Sequence, residues 1–66
     1  MQLRINGDAY EIDNIGTVES LIAHLGYQQN SIAVAINKAC VKRSDYASHP
    51  VRNGDDIEIL APMAGG

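Results

Sequence analysis

The chain has 66 residues, a net charge of −3, five Lys and Arg against eight Asp and Glu, and a single cysteine, Cys40. That length allows one domain, which buries only about 60% of the surface of its unfolded chain, so a deep enclosed active site is not expected. One cysteine excludes an internal disulfide. The lack of a CxxC pair and the wide separation of His24 and His49 argue against a zinc site.

The basic residues Arg4, Lys38, Lys42, Arg43 and Arg52 are spread along the chain. They form no clustered footprint for nucleic acid or for anionic lipid. The apolar runs are too short to span a bilayer, and the N-terminus enters an alternating pattern directly, so neither a membrane segment nor a signal peptide is expected. With one free thiol, this pattern fits a cytoplasmic protein.

Leu3 and Ile5 alternate with Gln2, Arg4 and Asn6, the period of a strand with one buried face. Asn6-Gly7-Asp8 predicts a type I′ hairpin turn. Ala9 to Ile12 resumes the alternation, with Tyr10 and Ile12 on one face. Asp13 to Gly16 reads as a loop. Thr17 is a helix N-cap, because its hydroxyl can accept a free N–H of the first turn. Glu19 suits the positive end of the helix dipole. Val18, Leu21, Ile22 and Leu25 recur at helical spacing, and Gly26 is placed to end the helix, predicted over residues 18–25.

Gln28 to Ser31 is polar and loops back. Ile32 to Ile36 is an apolar run that predicts a strand beneath the helix. Asn37-Lys38 marks a turn, and Ala39 to Lys42 a short strand. Ser44 to Pro50 reads as irregular. Asn53-Gly54-Asp55 is a further turn, and Asp56 to Leu60 the last strand, with Ile57 and Ile59 facing one way. The order β-β-α-β-β-β predicts an α+β domain over 1–61. A ubiquitin-like β-grasp, a mixed sheet crossed by one main helix, is the arrangement it suggests, although periodicity leaves other α+β topologies open.

Residues 62–66 read as a flexible C-terminal tail. Pro62 blocks further pairing, and Met63-Ala64-Gly65-Gly66 follows. At ordinary glycine frequency, two glycines in the final positions arise in roughly 0.5% of chains. A terminal carboxylate becomes electrophilic once adenylated, and sulfide can then attack it. Gly65 and Gly66, without Cβ, permit close backbone approach inside a partner's nucleotide site. A tail of about four residues reaches at most ~14 Å beyond the domain.

Val34-Ala35-Ile36-Asn37, Val41-Lys42-Arg43-Ser44, Val51 to Leu60 with its Gly54-Asp55 turn, and Ala61-Pro62-Met63-Ala64-Gly65-Gly66 together resemble the ThiS family, the sulfur carriers of thiamine biosynthesis. The likeness covers essentially the whole chain. It departs at Lys42, where proline is common in the family, and at Cys40, which is outside the family's motif.

The resemblance implies a β-grasp carrier with no catalytic side chains and no cofactor of its own. An E1-like (ThiF-like) adenylyltransferase would activate Gly66 with ATP and magnesium. Sulfur would come indirectly from a cysteine desulfurase, leaving a thiocarboxylate on Gly66. A ThiG-like thiazole synthase would then take the sulfur. Gly65 and Ala64 would give access to Gly66.

Leu60, Met63 and Arg43 are candidate docking residues. Leu60 is predicted to share the outer face with Asp56 and Glu58, and Arg43 is either structural or part of the docking surface. Cys40 is expected to be a small buried or half-buried strand residue. His24 is expected to be solvated, and neither histidine has a partner for catalysis. Asp55 serves its turn, and Asp56 and Glu58 are expected on an exposed face rather than around a metal. Two alternatives share the tail: the small sulfur-carrier subunit of molybdopterin synthase and a ubiquitin-like protein modifier.

Overall fold

The computed structural model describes residues 1–61. Strands β1 (Gln2–Ile5) and β2 (Asp8–Glu11) form the first hairpin, and helix α1 (Val18–His24) follows. Then come β3 (Ala33–Ile36), β4 (Ala39–Val41) and β5 (Asp56–Leu60). The sheet order is β2-β1-β5-β3-β4. β1 and β5 run parallel and the other neighbours antiparallel, so the sheet is mixed and β5 lies at its centre.

Both hairpin turns are made by two residues at positive φ, as a type I′ turn requires. Asn6 and Gly7 stand at 51° and 87°, and Asn37 and Lys38 at 51° and 71°. A parallel β1–β5 pair needs a long crossover. The helix and the second hairpin lie in the chain between them.

The helix starts where Thr17 predicts. Its Oγ1 accepts from the Ser20 N–H at 3.3 Å, and Ser20 Oγ accepts from the Thr17 N–H at 3.0 Å, a reciprocal capping box. Gly26, at φ 86°, ends it. Val18, Leu21 and Ile22 are buried against Leu3, Ile5, Val34, Ile36, Ile57 and Ile59 from the inner face of the sheet. Each such side chain contributes about 1.5–3 kcal/mol by leaving water.

The predicted boundaries shift by a residue in several places. The helix ends at His24, with Leu25 as its C-cap. β2 runs one residue earlier than expected. β3 begins at Ala33, because Ile32 is buried but lies outside the ladder. β4 ends at Val41.

The segment read as irregular is ordered by two uses of its backbone. A 3₁₀ turn over Arg43–Asp45 delivers Tyr46, only 1% exposed, into the core. The Tyr46 carbonyl accepts the Glu19 N–H at 2.9 Å, and the His49 carbonyl accepts that of Val18 at 3.0 Å. The loop thus satisfies two first-turn donors that no helical carbonyl can reach.

Candidate functional site

The predicted site begins where β5 ends. β5 alternates: Ile57 and Ile59 enter the core, while Asp56, Glu58 and Leu60 take the opposite face. Leu60 is 66% exposed, as its parity predicts. Its cross-strand partner is Ala33, and Glu58 pairs with Ala35. Alanine at both β3 positions keeps the outer surface low beside Leu60, so its side chain stands proud of its neighbours.

A shallow groove of about 330 Å³ adjoins Leu60 and Ala61, bounded by Ile32, Ala33 and Arg43. The Arg43 guanidinium spans its rim. Nε donates to the Gln29 carbonyl at 3.2 Å and Nη2 to the Ile32 carbonyl at 3.3 Å. Gln29 Nε2 donates back to the Arg43 carbonyl at 3.5 Å. Arg43 is therefore structural, and it also borders the root of the C-terminal segment. A larger hollow of about 460 Å³ follows β1, β2 and Gly54 and includes no residue of β5.

Met63, Ala64, Gly65 and Gly66 lie outside the described residues, so of the predicted site residues the structure places Leu60 and Arg43. These two meet at one groove. Cys40 corrects an expectation: it is exposed, not buried or half-buried. It pairs with Ala35, whose register partner in β5 is Glu58, and this puts it on the open outer face of edge strand β4. His24 is exposed. The half-buried His49 sits with Nδ1 3.0 Å from the Pro50 carbonyl. Asp55 does serve its turn, with Oδ2 accepting the Arg52 N–H at 2.8 Å. Among the described residues no group of three or more His, Cys, Asp or Glu side chains converges to hold a metal ion. Among the described residues no helix is long and apolar enough to cross a membrane.

Two asparagines escaped the sequence reading. Asn6 Oδ1 accepts the Ile59 N–H at 2.8 Å and its Nδ2 donates to the Ile59 carbonyl at 3.2 Å. At the other end of β5, Asn37 Oδ1 accepts the Asp56 N–H at 3.0 Å and its Nδ2 donates to Asp55 Oδ1 at 3.1 Å. Sequence showed both as turn formers, and Asn37 also within a motif of the resemblance, but neither reading reveals these bonds.

A mixed five-stranded sheet with one helix on its inner face, and a central last strand leading to the C-terminal residues, define a ubiquitin-like β-grasp protein. The crystal structure of a thiamine biosynthesis protein (ThiS) from Geobacter metallireducens superposes on it with a TM-score of 0.83, at 29% identity and over 100% of both chains. The ThiS family model matches residues 3–66. The chain belongs to the ThiS family.

The sulfur carrier protein ThiS of Escherichia coli K12 is 36% identical over 66 residues, covering 100% of each chain. A thiazole synthase of Paramagnetospirillum magneticum is 39% identical over all 66 residues, and there the chain spans only 20% of its relative's length.

Proposed function

We propose that this chain is the sulfur carrier of thiazole formation in thiamine biosynthesis, and that the sulfur rides on the carboxylate of Gly66. The observation that carries the reading is the family match, which runs through the Gly65-Gly66 end rather than stopping with the folded domain. The full-length likeness to a ThiS carrier supports it.

In this reading the domain over 1–61 is the handle and 62–66 the reactive arm. An E1-like adenylyltransferase uses ATP and magnesium. The Gly66 carboxylate attacks the α-phosphate, pyrophosphate leaves, and an acyl-adenylate results. The outer sulfur of a persulfide formed by a cysteine desulfurase then attacks the acyl carbon and AMP leaves; a thiol cleaves the resulting acyl disulfide, itself becoming a disulfide, and releases the thiocarboxylate. Gly65 and Ala64 keep the approach narrow, since neither carries a side chain beyond Cβ. Leu60 and the Arg43 rim supply a docking surface, and Met63 is a further contact for the partner.

Thiazole synthase is the sulfur acceptor. A protein of that name with a segment like this chain supports the pairing, because joining two modules raises the concentration of one at the other. A strain lacking this chain is expected to require the thiazole moiety and to keep its molybdoenzyme activity. The same strain carrying a Gly66-deleted chain should behave like the full deletion. Growth of that second strain without thiazole would refute the role of Gly66, and loss of molybdoenzymes in the first would favour the molybdopterin carrier.

A further inference from the structure

Beside β5, strand β1 stops one rung early. The parallel ladder matches Arg4 with Asp56 and Ile5 with Ile57, and the Asn6 N–H donates to the Ile57 carbonyl at 2.9 Å. Asn6 then adopts φ 51° to enter the hairpin, so the backbone of β1 turns away before it reaches Ile59. Within a strand, N–H and C=O of alternate residues point to the same edge. Ile59 therefore offers one donor and one acceptor to a place where β1 no longer runs. The side-chain amide of Asn6 occupies that place with both bonds, Oδ1 to the Ile59 N–H and Nδ2 to its carbonyl. It copies a peptide group and supplies the missing rung.

The opposite edge of β5 is closed at the next residue, where Leu60 pairs with Ala33. Ile59 and Leu60 are thus held from both sides. Ala61 makes no hydrogen bond to any described residue, and Pro62, next in sequence, has no N–H with which to extend a ladder. Among the described residues, the Asn6 amide accordingly marks the last position on the β1 side at which the domain grips β5.

We propose that Asn6 is a positioning residue for the chemistry at Gly66, an inference that rests on the proposed role of that carboxylate. Its amide completes the final β1-side rung of β5 and so fixes where, and in which direction, the chain leaves the domain beside Leu60. Without it the Ile59 N–H and C=O must turn to water, and the chain's exit point retreats toward Ile57. A partner that grips Leu60 and Arg43 then meets a carboxylate whose anchor has shifted, and misplacement remote from the reacting atoms slows reaction.

Asn6→Gly is the informative variant, since glycine keeps the positive φ of the turn and removes only the amide. Asn6→Asp keeps the acceptor for the Ile59 N–H and loses the donor to its carbonyl. Two readouts are needed on the full chain: amide hydrogen exchange at Ile59, and kcat/KM for ATP-dependent adenylation by the activating enzyme. Asn6→Gly is expected to speed exchange at Ile59 with little change at Val34 and to lower kcat/KM by roughly 5–30-fold, the factor equivalent to one or two net hydrogen bonds. Asn6→Asp should fall between it and the wild type.

Ile12→Val, a core change of similar cost to stability, should leave kcat/KM as it was. If Asn6→Gly exchanges fast at Ile59 yet is adenylated like the wild type, or if Ile12→Val slows adenylation equally, the positioning role is refuted while the Gly66 reading stands. If Asn6→Gly does not fold, a wild-type kcat/KM for Asn6→Asp refutes it equally. If the wild-type chain itself is not adenylated, the Gly66 reading fails and this role fails with it.

Discussion

Arg43 Nη2 donates to the carbonyl of Ile32 at 3.3 Å, immediately before the β3 residue that pairs with Leu60. One side chain thus ties the loop after β4 to the start of β3, at the rim of the groove where the C-terminal segment begins. A cation at this point has both a local structural role and a place on the proposed docking surface.

Arg43→Ala is expected to remove the bonds to Gln29 and Ile32 and to cost about 1–2 kcal/mol. For a domain of this size that lowers Tm by roughly 4–15 °C. Arg43→Lys should recover only part of the loss, because an ammonium lacks the planar fork that reaches both carbonyls. Thermal denaturation of the three proteins checks this.

Leu60 separates folding from docking. Leu60→Thr keeps a strand-compatible residue on the exposed face, so stability should change by no more than about 0.5 kcal/mol. Adenylation by the activating enzyme should show a raised KM at nearly unchanged kcat, as expected when binding common to ground and transition states is lost. Unchanged kinetics would move the docking surface elsewhere.

Tyr46 is expected to be the most sensitive single position outside the regular elements. Tyr46→Ala empties a site that is 1% exposed and should cost about 3–5 kcal/mol. In a 66-residue chain that is enough to leave much of the protein unfolded. Tyr46→Phe should cost far less, since it keeps the ring that fills the buried site.

Lys38 offers the opposite sign. It holds φ 71° in the β3–β4 turn, a conformation that costs an L-residue with a Cβ about 1–2 kcal/mol. Lys38→Gly is expected to stabilise the protein by about 0.5–1 kcal/mol after glycine's larger unfolded-state entropy is counted. Urea denaturation at fixed m-value measures it.

Much of the fold was legible because it is written in local chemistry. The Asn6-Gly7 and Asn37-Lys38 pairs declare hairpins, Thr17 declares a helix start, and the alternation of Ile57, Ile59 and Leu60 tells which of them meets solvent. Other features depend on what lies next to what. Tyr10 shares a face with Leu3, yet it is 42% exposed because β2 is an edge strand. Cys40 is exposed for the related reason that it takes the outer face of the other edge.

Tyr46 looked like a loop residue because its role is to close the core and to accept the Glu19 N–H of α1 with its carbonyl, and neither task leaves a periodic trace. The amide of Asn6 was hidden by its own turn signal, since nothing local shows that Ile59 lies beside it. Of the candidate site, the glycine end and Leu60 were readable from sequence. The Arg43 bridge and the Asn6 rung needed coordinates.

The central claim is that sulfur is carried on the carboxylate of Gly66. Its most direct test is mass spectrometry of the C-terminal peptide, and of the peptide that holds Cys40, after the full chain has been incubated with the activating enzyme, ATP, magnesium, a persulfide donor and a thiol reductant. A peptide heavier by one sulfur in place of one oxygen, with the change confined to Gly66 and dependent on ATP, is the predicted result. An unmodified Gly66 alongside a modified Cys40 would contradict it and move the sulfur to a side chain.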